Sequence, residues 1–265
     1  MNLRFQAASG DQGQNGATSG AEPSASVSAD ATHTKLSNET PSRRTFFKTT
    51  IGGAVAGLVT ATAGEFVAPG LVLAQSVLTP DAALKELMEG NRRFSAERLT
   101  SCETNLAILK QNTIEKQEPF AAVLACADSR VPVELIFDQT IGHIFVTRIA
   151  GNFASTELIA SLEYGTAVLG VKVIMVLAHA NCGAVKATIQ GKEVPGQISS
   201  LFSYIRPAVD QAGPNLEAAS KANAKIQAAI LRQASTVISP LVKENKIKVV
   251  AAYYDLATGD VSLLE

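Results

Sequence analysis

Apolar positions along this chain fall into short continuous runs and longer helical stripes, and the two alternate. Phe120 to Ala125, His143 to Ala150, Lys172 to Ala178 and Lys248 to Tyr254 are short apolar runs that predict buried strands. Ala257-Thr258-Gly259-Asp260 predicts a turn from the last of these into a short hairpin partner, Val261 to Leu264. Helical stripes stand between and before the runs. Thr79-Pro80-Asp81 opens the first: Thr is a favoured N-cap, Pro suits the first helical position, and Asp complements the positive helix end. Leu84, Leu87, Met88, Asn91 and Phe94 continue it as a face that is apolar except at Asn91. Pro132 to Phe137 predicts a short helix. Ser155 to Leu169 predicts a longer one, with Leu158, Ile159, Leu162 and Leu169 on its apolar face and Thr166 as the polar member. Asn215 to Ser235, rich in Ala, Lys and Gln, predicts a third. Strands alternating with helices imply an α/β fold: a central, mainly parallel sheet flanked by helices. No internal repeat is present.

The pattern changes before residue 75. Residues 1–41 are Ser, Ala, Gly, Thr, Asn and Gln with few large apolar side chains, and read as a disordered leader. Ser42-Arg43-Arg44-Thr45-Phe46-Phe47-Lys48 then precedes a mildly apolar, Gly- and Ala-rich stretch, Thr49 to Val67, and a small-residue end, Ala68 to Gln75. A basic region, an apolar region and a small-residue end are the parts of an export signal. The paired arginines with Phe and Lys after them resemble a twin-arginine signal. Residues 42–74 are therefore expected to be a signal peptide cleaved near Ala74. That leaves 75–265 as the mature domain, exported to a periplasm or thylakoid lumen. The rival reading is a retained membrane anchor, since the segment is about long enough to span a bilayer. Gly52, Gly53, Gly57 and Gly64 weaken its hydrophobicity, and Glu65 and Pro69 interrupt its end.

Composition narrows the classes further. The chain has 265 residues, 46% hydrophobic and 18% charged, with a net charge of -1. Near-neutral charge gives no support for a nucleic acid or an anionic membrane as partner. Three cysteines, Cys102, Cys126 and Cys182, do not make a disulfide framework. Cys102 stands in a polar stretch and reads as a free thiol.

The other two cysteines carry the chemistry. Ala125-Cys126-Ala127-Asp128-Ser129-Arg130 follows the first strand run, and His179-Ala180-Asn181-Cys182-Gly183 follows the third. Loops at the carboxyl ends of adjacent parallel strands converge on one crevice. Cys126, His179 and Cys182 brought together there would match a zinc site with three protein ligands and an open fourth position. His33, in the leader, and His143, at a strand start, have no comparable partners in sequence.

These two segments resemble the β-class carbonic anhydrases, which pair Cys-x-Asp-Ser-Arg with a later His-x-x-Cys-Gly-Ala. The resemblance runs from about Thr79 to Glu265 and includes Arg148-Ile149-Ala150-Gly151-Asn152 and Ser161-Leu162-Glu163-Tyr164-Gly165. It implies one zinc ion per chain and reversible hydration of carbon dioxide to bicarbonate and a proton by zinc-bound hydroxide. Two thiolates cancel the charge of zinc, so the bound water needs help to ionise. Asp128 would accept the hydrogen bond from the hydroxide, and Arg130 would orient Asp128 and lower its pKa. In the family, Asp128 freed from Arg130 can itself become the fourth zinc ligand. Gln117 stands where a glutamine of the family donates a hydrogen bond to the substrate, often across a dimer interface. Gly183 would let the backbone approach the metal or substrate, at a helix start favourable to bicarbonate.

The resemblance also implies an N-terminal helical arm lying across a neighbouring subunit, and an even-numbered homo-oligomer, at minimum a dimer. Two departures stand out. Ala178 precedes His179 where the family commonly has Gly, and Val123 stands where one subgroup carries a Trp in an inhibitory bicarbonate pocket. Arg148 matches that subgroup's arginine, but the chain contains no Trp, so an open site with water on zinc is expected. Three alternatives stay open at this point: hydrolysis of carbon disulfide or carbonyl sulfide on the same scaffold, a thiol-disulfide protein, and a non-catalytic zinc-binding protein.

Overall fold

The computed structural model describes residues 76–101, 111 and 113–265. The leader and signal readings, and Cys102, lie outside the described residues. The chain runs α1 (Pro80–Ser95), β1 (Ala121–Ala125), α2 (Val133–Ile136), β2 (Ile144–Arg148), α3 (Thr156–Ala167), β3 (Val173–His179) and α4 (Gly183–Gln190). It continues through a 3-10 turn (Ile198–Leu201), α5 (Phe202–Ala212), α6 (Leu216–Ala234), α7 (Ile238–Lys243), β4 (Lys248–Tyr254) and β5 (Val261–Leu264). The sheet order is β2-β1-β3-β4-β5. The first four strands are parallel, and β5 returns antiparallel on β4 as the hairpin pattern predicts.

Every residue of β1 and β3 is buried, as befits parallel strands covered on both faces. Alternate residues go to opposite sides. Val123, Ala125, Met175, Leu177 and Ala252 face a core closed by α1 and α2. Ala122, Leu124, Ile174, Val176 and Ala251 face one closed by Leu162 of α3, Ala224, Ala228 and Leu231 of α6, and Ile238 of α7. The sheet is thus the middle layer of three.

Helix α1 starts where its sequence says, with the Thr79 hydroxyl accepting from the Ala82 N–H at 3.2 Å. It buries Ala83, Leu87, Gly90 and Asn91. Gly90 is required by close approach, since a Cβ there would sit 1.8 Å from the Phe137 carbonyl oxygen. Asn91, the polar member of the stripe, is fully used. Its amide donates to the carbonyls of Ile136 (3.2 Å) and Gly259 (2.9 Å), and its oxygen accepts from Val261 N–H (2.8 Å). One side chain therefore joins α1 to α2 and to the C-terminal hairpin.

The structure differs from the sequence pattern chiefly at the ends of the second and third strands and in the helices after residue 200. The second strand is Ile144–Arg148, shorter at both ends than His143 to Ala150. The chain turns after Arg148, with Asn152 N–H bonding the Ile149 carbonyl at 3.0 Å and Gly151 at φ +89°. The third strand runs one residue past Ala178 and ends on His179 itself. Helices α5 and α7 carry Pro207 and Pro240, which obscure their pattern. Pro240 falls in the first turn, where no N–H bond is lost, and in α5 the burial of Ile205, Ala208 and Val209 outweighs the bond removed by Pro207.

Candidate metal centre

The parallel register places the centre. Ala125 pairs with Leu177, so the chain leaves β1 at Cys126 beside the last two residues of β3. His179 closes β3 opposite Tyr254 of β4, and Ala180 N–H bonds the Tyr254 carbonyl at 2.9 Å. The loop then turns through Asn181 (φ +54°), and Cys182 becomes the N-cap of α4.

The three side chains meet in the core. Cys126, His179 and Cys182 are all buried, and their ligating atoms lie within 4.8 Å of one another. The two sulfurs are 4.0 Å apart. Two Zn–S bonds of about 2.3 Å at a tetrahedral angle span about 3.8 Å, so the pair fits one zinc ion. His179 Nδ1 lies 2.9 Å from the Ala180 carbonyl oxygen. A carbonyl only accepts, so Nδ1 carries the proton and Nε2 presents a lone pair. That Nε2 is buried and has no hydrogen-bond partner in the protein. A buried acceptor of this kind is costly unless a ligand engages it. Two soft thiol ligands and one imidazole with a free lone pair form the donor set of a zinc centre.

The thiols are electrostatically unequal. Hydrogen bonding from Cys182 pulls the Cys126 thiol down to about 4 against the opposing effect of burial, helped by the Gly151 N–H. The same interaction with Cys126, and burial, push Cys182 far above the ordinary thiol range. Without metal the two sulfurs share one proton.

Asp128 lies at the mouth. Its Oδ2 is 3.9 Å from His179 Nε2. Arg130 grips it with two prongs, Nε to Oδ1 at 2.9 Å and Nη2 to Oδ2 at 2.7 Å, while the Arg130 backbone N–H bonds Oδ1 at 3.0 Å. The Arg130 guanidinium holds the Asp128 carboxyl well below the usual carboxylate range, against partial burial. Arg130 Nη2 also reaches the Asn181 carbonyl at 3.3 Å, so one guanidinium spans both ligand-bearing loops.

Gln117 and Gly183 stand differently. Gln117 precedes the amino end of β1, whereas Cys126 leaves its carboxyl end, roughly 13 Å of strand away. Gln117 lines a separate surface cleft with Thr113, Lys116, Tyr164 and Leu169. Within one chain it is not part of the centre. Gly183 is the exposed first residue of α4, beside Cys182, and a Cβ there would meet no protein atom within 4 Å. No protein packing demands glycine at this position.

Residues the sequence pattern did not assign to the site surround it. Arg148 donates from Nε to the Cys126 carbonyl at 3.0 Å and from Nη2 to the Asp128 carbonyl at 2.6 Å, fixing the loop that carries both. Gly151 N–H points at Cys126 Sγ at 3.3 Å. The signal for Gly151 was present as a glycine after a strand, but its direction was not.

Two buried thiols and an imidazole beside an arginine-paired carboxylate, at the carboxyl edge of a parallel sheet, match a zinc enzyme of the hydrating or hydrolytic kind. Comparison with known proteins is specific. Residues 121–261 match the model of the family described as carbonic anhydrase. A carbonic anhydrase from Mycolicibacterium smegmatis is 34% identical over 195 residues, 69% of this chain and 93% of that protein. The β-carbonic anhydrase of Coccomyxa superposes with a TM-score of 0.54 at 26% identity, over 68% of this chain and 86% of that one. A tetrameric β-carbonic anhydrase from Sordaria macrospora shares the fold, with a TM-score of 0.55 at 19% identity, over 68% of this chain and 96% of that one. The chain belongs to the β-carbonic anhydrase family.

Proposed function

We propose that this chain catalyses the reversible hydration of carbon dioxide to bicarbonate and a proton, with Cys126, His179 and Cys182 holding one zinc ion. The observation that carries this reading is the buried ligand cluster with Asp128 Oδ2 3.9 Å from His179 Nε2. Zinc held there would supply a Lewis acid that lets water ionise near neutral pH. Asp128, kept ionised by Arg130, would accept a hydrogen bond at Oδ2 from the reacting hydroxyl and orient it. Arg148 keeps the Asp128 backbone level with Cys126, so the carboxylate stays at the open side of the centre. With both Asp128 oxygens engaged by Arg130, Asp128 is not free to act as a ligand, which supports an open site.

Gln117 serves the site of a second subunit in this reading. Its place at the far end of β1 excludes its own centre, and the Sordaria relative is tetrameric. An even-numbered homo-oligomer follows. No described helix is long and apolar enough to cross a membrane. The segment Ser42 to Ala74 directs export through a twin-arginine route, and zinc loaded before export protects both thiols from the oxidising compartment beyond.

The test is stopped-flow carbon dioxide hydration by the purified protein, with zinc content measured on the same sample. About one zinc per chain with hydration supports the reading. Zinc without hydration, but with hydrolysis of carbonyl sulfide or carbon disulfide, would replace it. Exchanging Arg43 and Arg44 for Lys should leave the protein in the cytoplasm, and unchanged export would remove the twin-arginine proposal.

A further inference from the structure

Two amides on α6 stand out in the molecule because they are buried and do not belong to any catalytic group. Asn223 is 0% exposed and Gln227 is 1% exposed, in a helix face otherwise made of Ala219, Ser220, Ala224, Ala228 and Leu231. Burying two primary amides in an apolar layer is unfavourable unless their hydrogen bonds are met. Here they are met, and the partners converge on one turn. Asn223 Nδ2 donates to the Gly151 carbonyl at 2.8 Å. Gln227 Oε1 accepts from Ala154 N–H at 3.0 Å. Gln227 Nε2 donates to the Tyr204 carbonyl at 3.2 Å and to Asn223 Oδ1 at 3.3 Å, so each amide fixes the other's orientation.

The turn they hold is the one that touches a ligand sulfur. Gly151 accepts from Asn223 through its oxygen and donates to Cys126 Sγ through its nitrogen. Its φ of +89° favours glycine, and a Cβ there would fall 2.5 Å from Ile205 Cδ1. Phe153, two residues on, stacks on Tyr204 with ring centres 4.2 Å apart, which closes the turn from the α5 side. The turn therefore has little freedom except through the hydrogen bonds from α6.

We infer that Asn223 is a positioning residue for the metal centre: its amide anchors the Gly151 carbonyl, which limits rotation about Gly151 and so keeps the N–H of the preceding peptide on the Cys126 sulfur. An N–H bond to a ligand sulfur fixes the direction of its lone pairs before metal arrives, and losing such a partner behind a ligand typically costs about ten- to a hundredfold in metal affinity. The inference rests on the zinc reading above. The alternative is that Asn223 only satisfies polar groups in the core, in which case stability alone depends on it.

The experiment compares the full protein with Asn223→Asp, which keeps the size and the acceptor for Gln227 but removes the amide donor. Asn223→Leu serves as a second variant should the carboxyl prevent folding. Ser220→Ala is the control on the same helix, because its hydroxyl bonds only the Leu216 carbonyl. Two readouts are taken: zinc transfer to a chromophoric chelator, and the thiolate-to-metal charge-transfer band of the cobalt(II)-substituted protein. The expected result is zinc release about tenfold faster and a displaced cobalt band in the Asn223 variants, with the Ser220 variant unchanged. Wild-type release and an unmoved band in the Asn223 variants, even with a lowered melting temperature, would overturn the inference. A wild-type protein that takes up cobalt without any thiolate band would overturn the zinc reading and this inference together.

Discussion

Arg130 Nη2 lies 2.7 Å from Asp128 Oδ2 and 3.3 Å from the Asn181 carbonyl, so a single exposed guanidinium joins the loop after β1 to the loop after β3. The pairing sets the direction of Asp128 and links it to the segment that bears His179 and Cys182.

Replacing Asp128 by Asn should therefore reduce carbon dioxide hydration by about 100-fold while zinc stays near one per chain, because an amide cannot accept the same bond with the same charge. Arg130→Lys should give a smaller loss, since an ammonium lacks the planar fork that engages both oxygens. Stopped-flow rates beside metal analysis check both. An Asp128→Asn protein with full activity would remove Asp128 from the mechanism.

Zinc uptake by the metal-free protein near pH 7 should release about one proton per chain rather than two. The two sulfurs lie 4.0 Å apart and bond to each other, which lowers one thiol and raises the other, so the pair holds one proton between them. Both must be thiolates to bind the metal. Titration calorimetry in buffers of different ionisation enthalpy gives the number directly, and a value near two would mean that the thiols do not share a proton.

Acid should weaken the protein through Asp138, whose side chain is fully buried at φ +46°. Burial raises its pKa, but bonds from Arg93 (2.5 Å), Ser101 N–H (2.7 Å) and Thr100 outweigh it and hold the carboxyl well below its ordinary range. The folded value lies below the unfolded one. The stabilisation is therefore complete above about pH 4 and is lost as pH falls through the folded value. Asp138→Asn should cost about 2 kcal/mol at neutral pH and flatten the acid limb of the stability curve. Urea unfolding across pH at one protein concentration measures this, and parallel curves for the two proteins would contradict it.

Asn91→Ala should lower stability by about 2 kcal/mol or more, because it leaves the Ile136 and Gly259 carbonyls and the Val261 N–H without their shared partner. Zinc content should be unaffected, since none of these groups touches the metal centre. Thermal unfolding with metal analysis checks the pair of outcomes.

Much of the site can be read without coordinates. Cys126, Asp128 and Arg130 lie within one loop, and His179 and Cys182 within another. Each loop follows a short apolar run that reads as a buried strand and is one. Donor chemistry and short spacing survive in a linear sequence because they depend on near neighbours. The Thr79 cap and the turn at Gly259 are legible for the same reason.

Asn223, Gln227 and Asp138 are not legible in that way. Asn223 reaches Gly151 across 72 positions of chain, and Arg93 reaches Asp138 across 45. Nothing local distinguishes Asn223 from a solvated residue of an Ala- and Lys-rich helix. Its burial follows from the face that α6 turns to the sheet, and its partner follows from where β2 ends. Likewise Gln117 stands near Cys126 in the chain but at the opposite end of the same strand, a separation that an extended backbone imposes. Residue type and local spacing therefore carried the identity of the ligands and the layered α/β plan. Their orientation, the proton shared by the thiols and the support behind Cys126 depend on contacts between distant segments, which arise only when the sheet and helices pack.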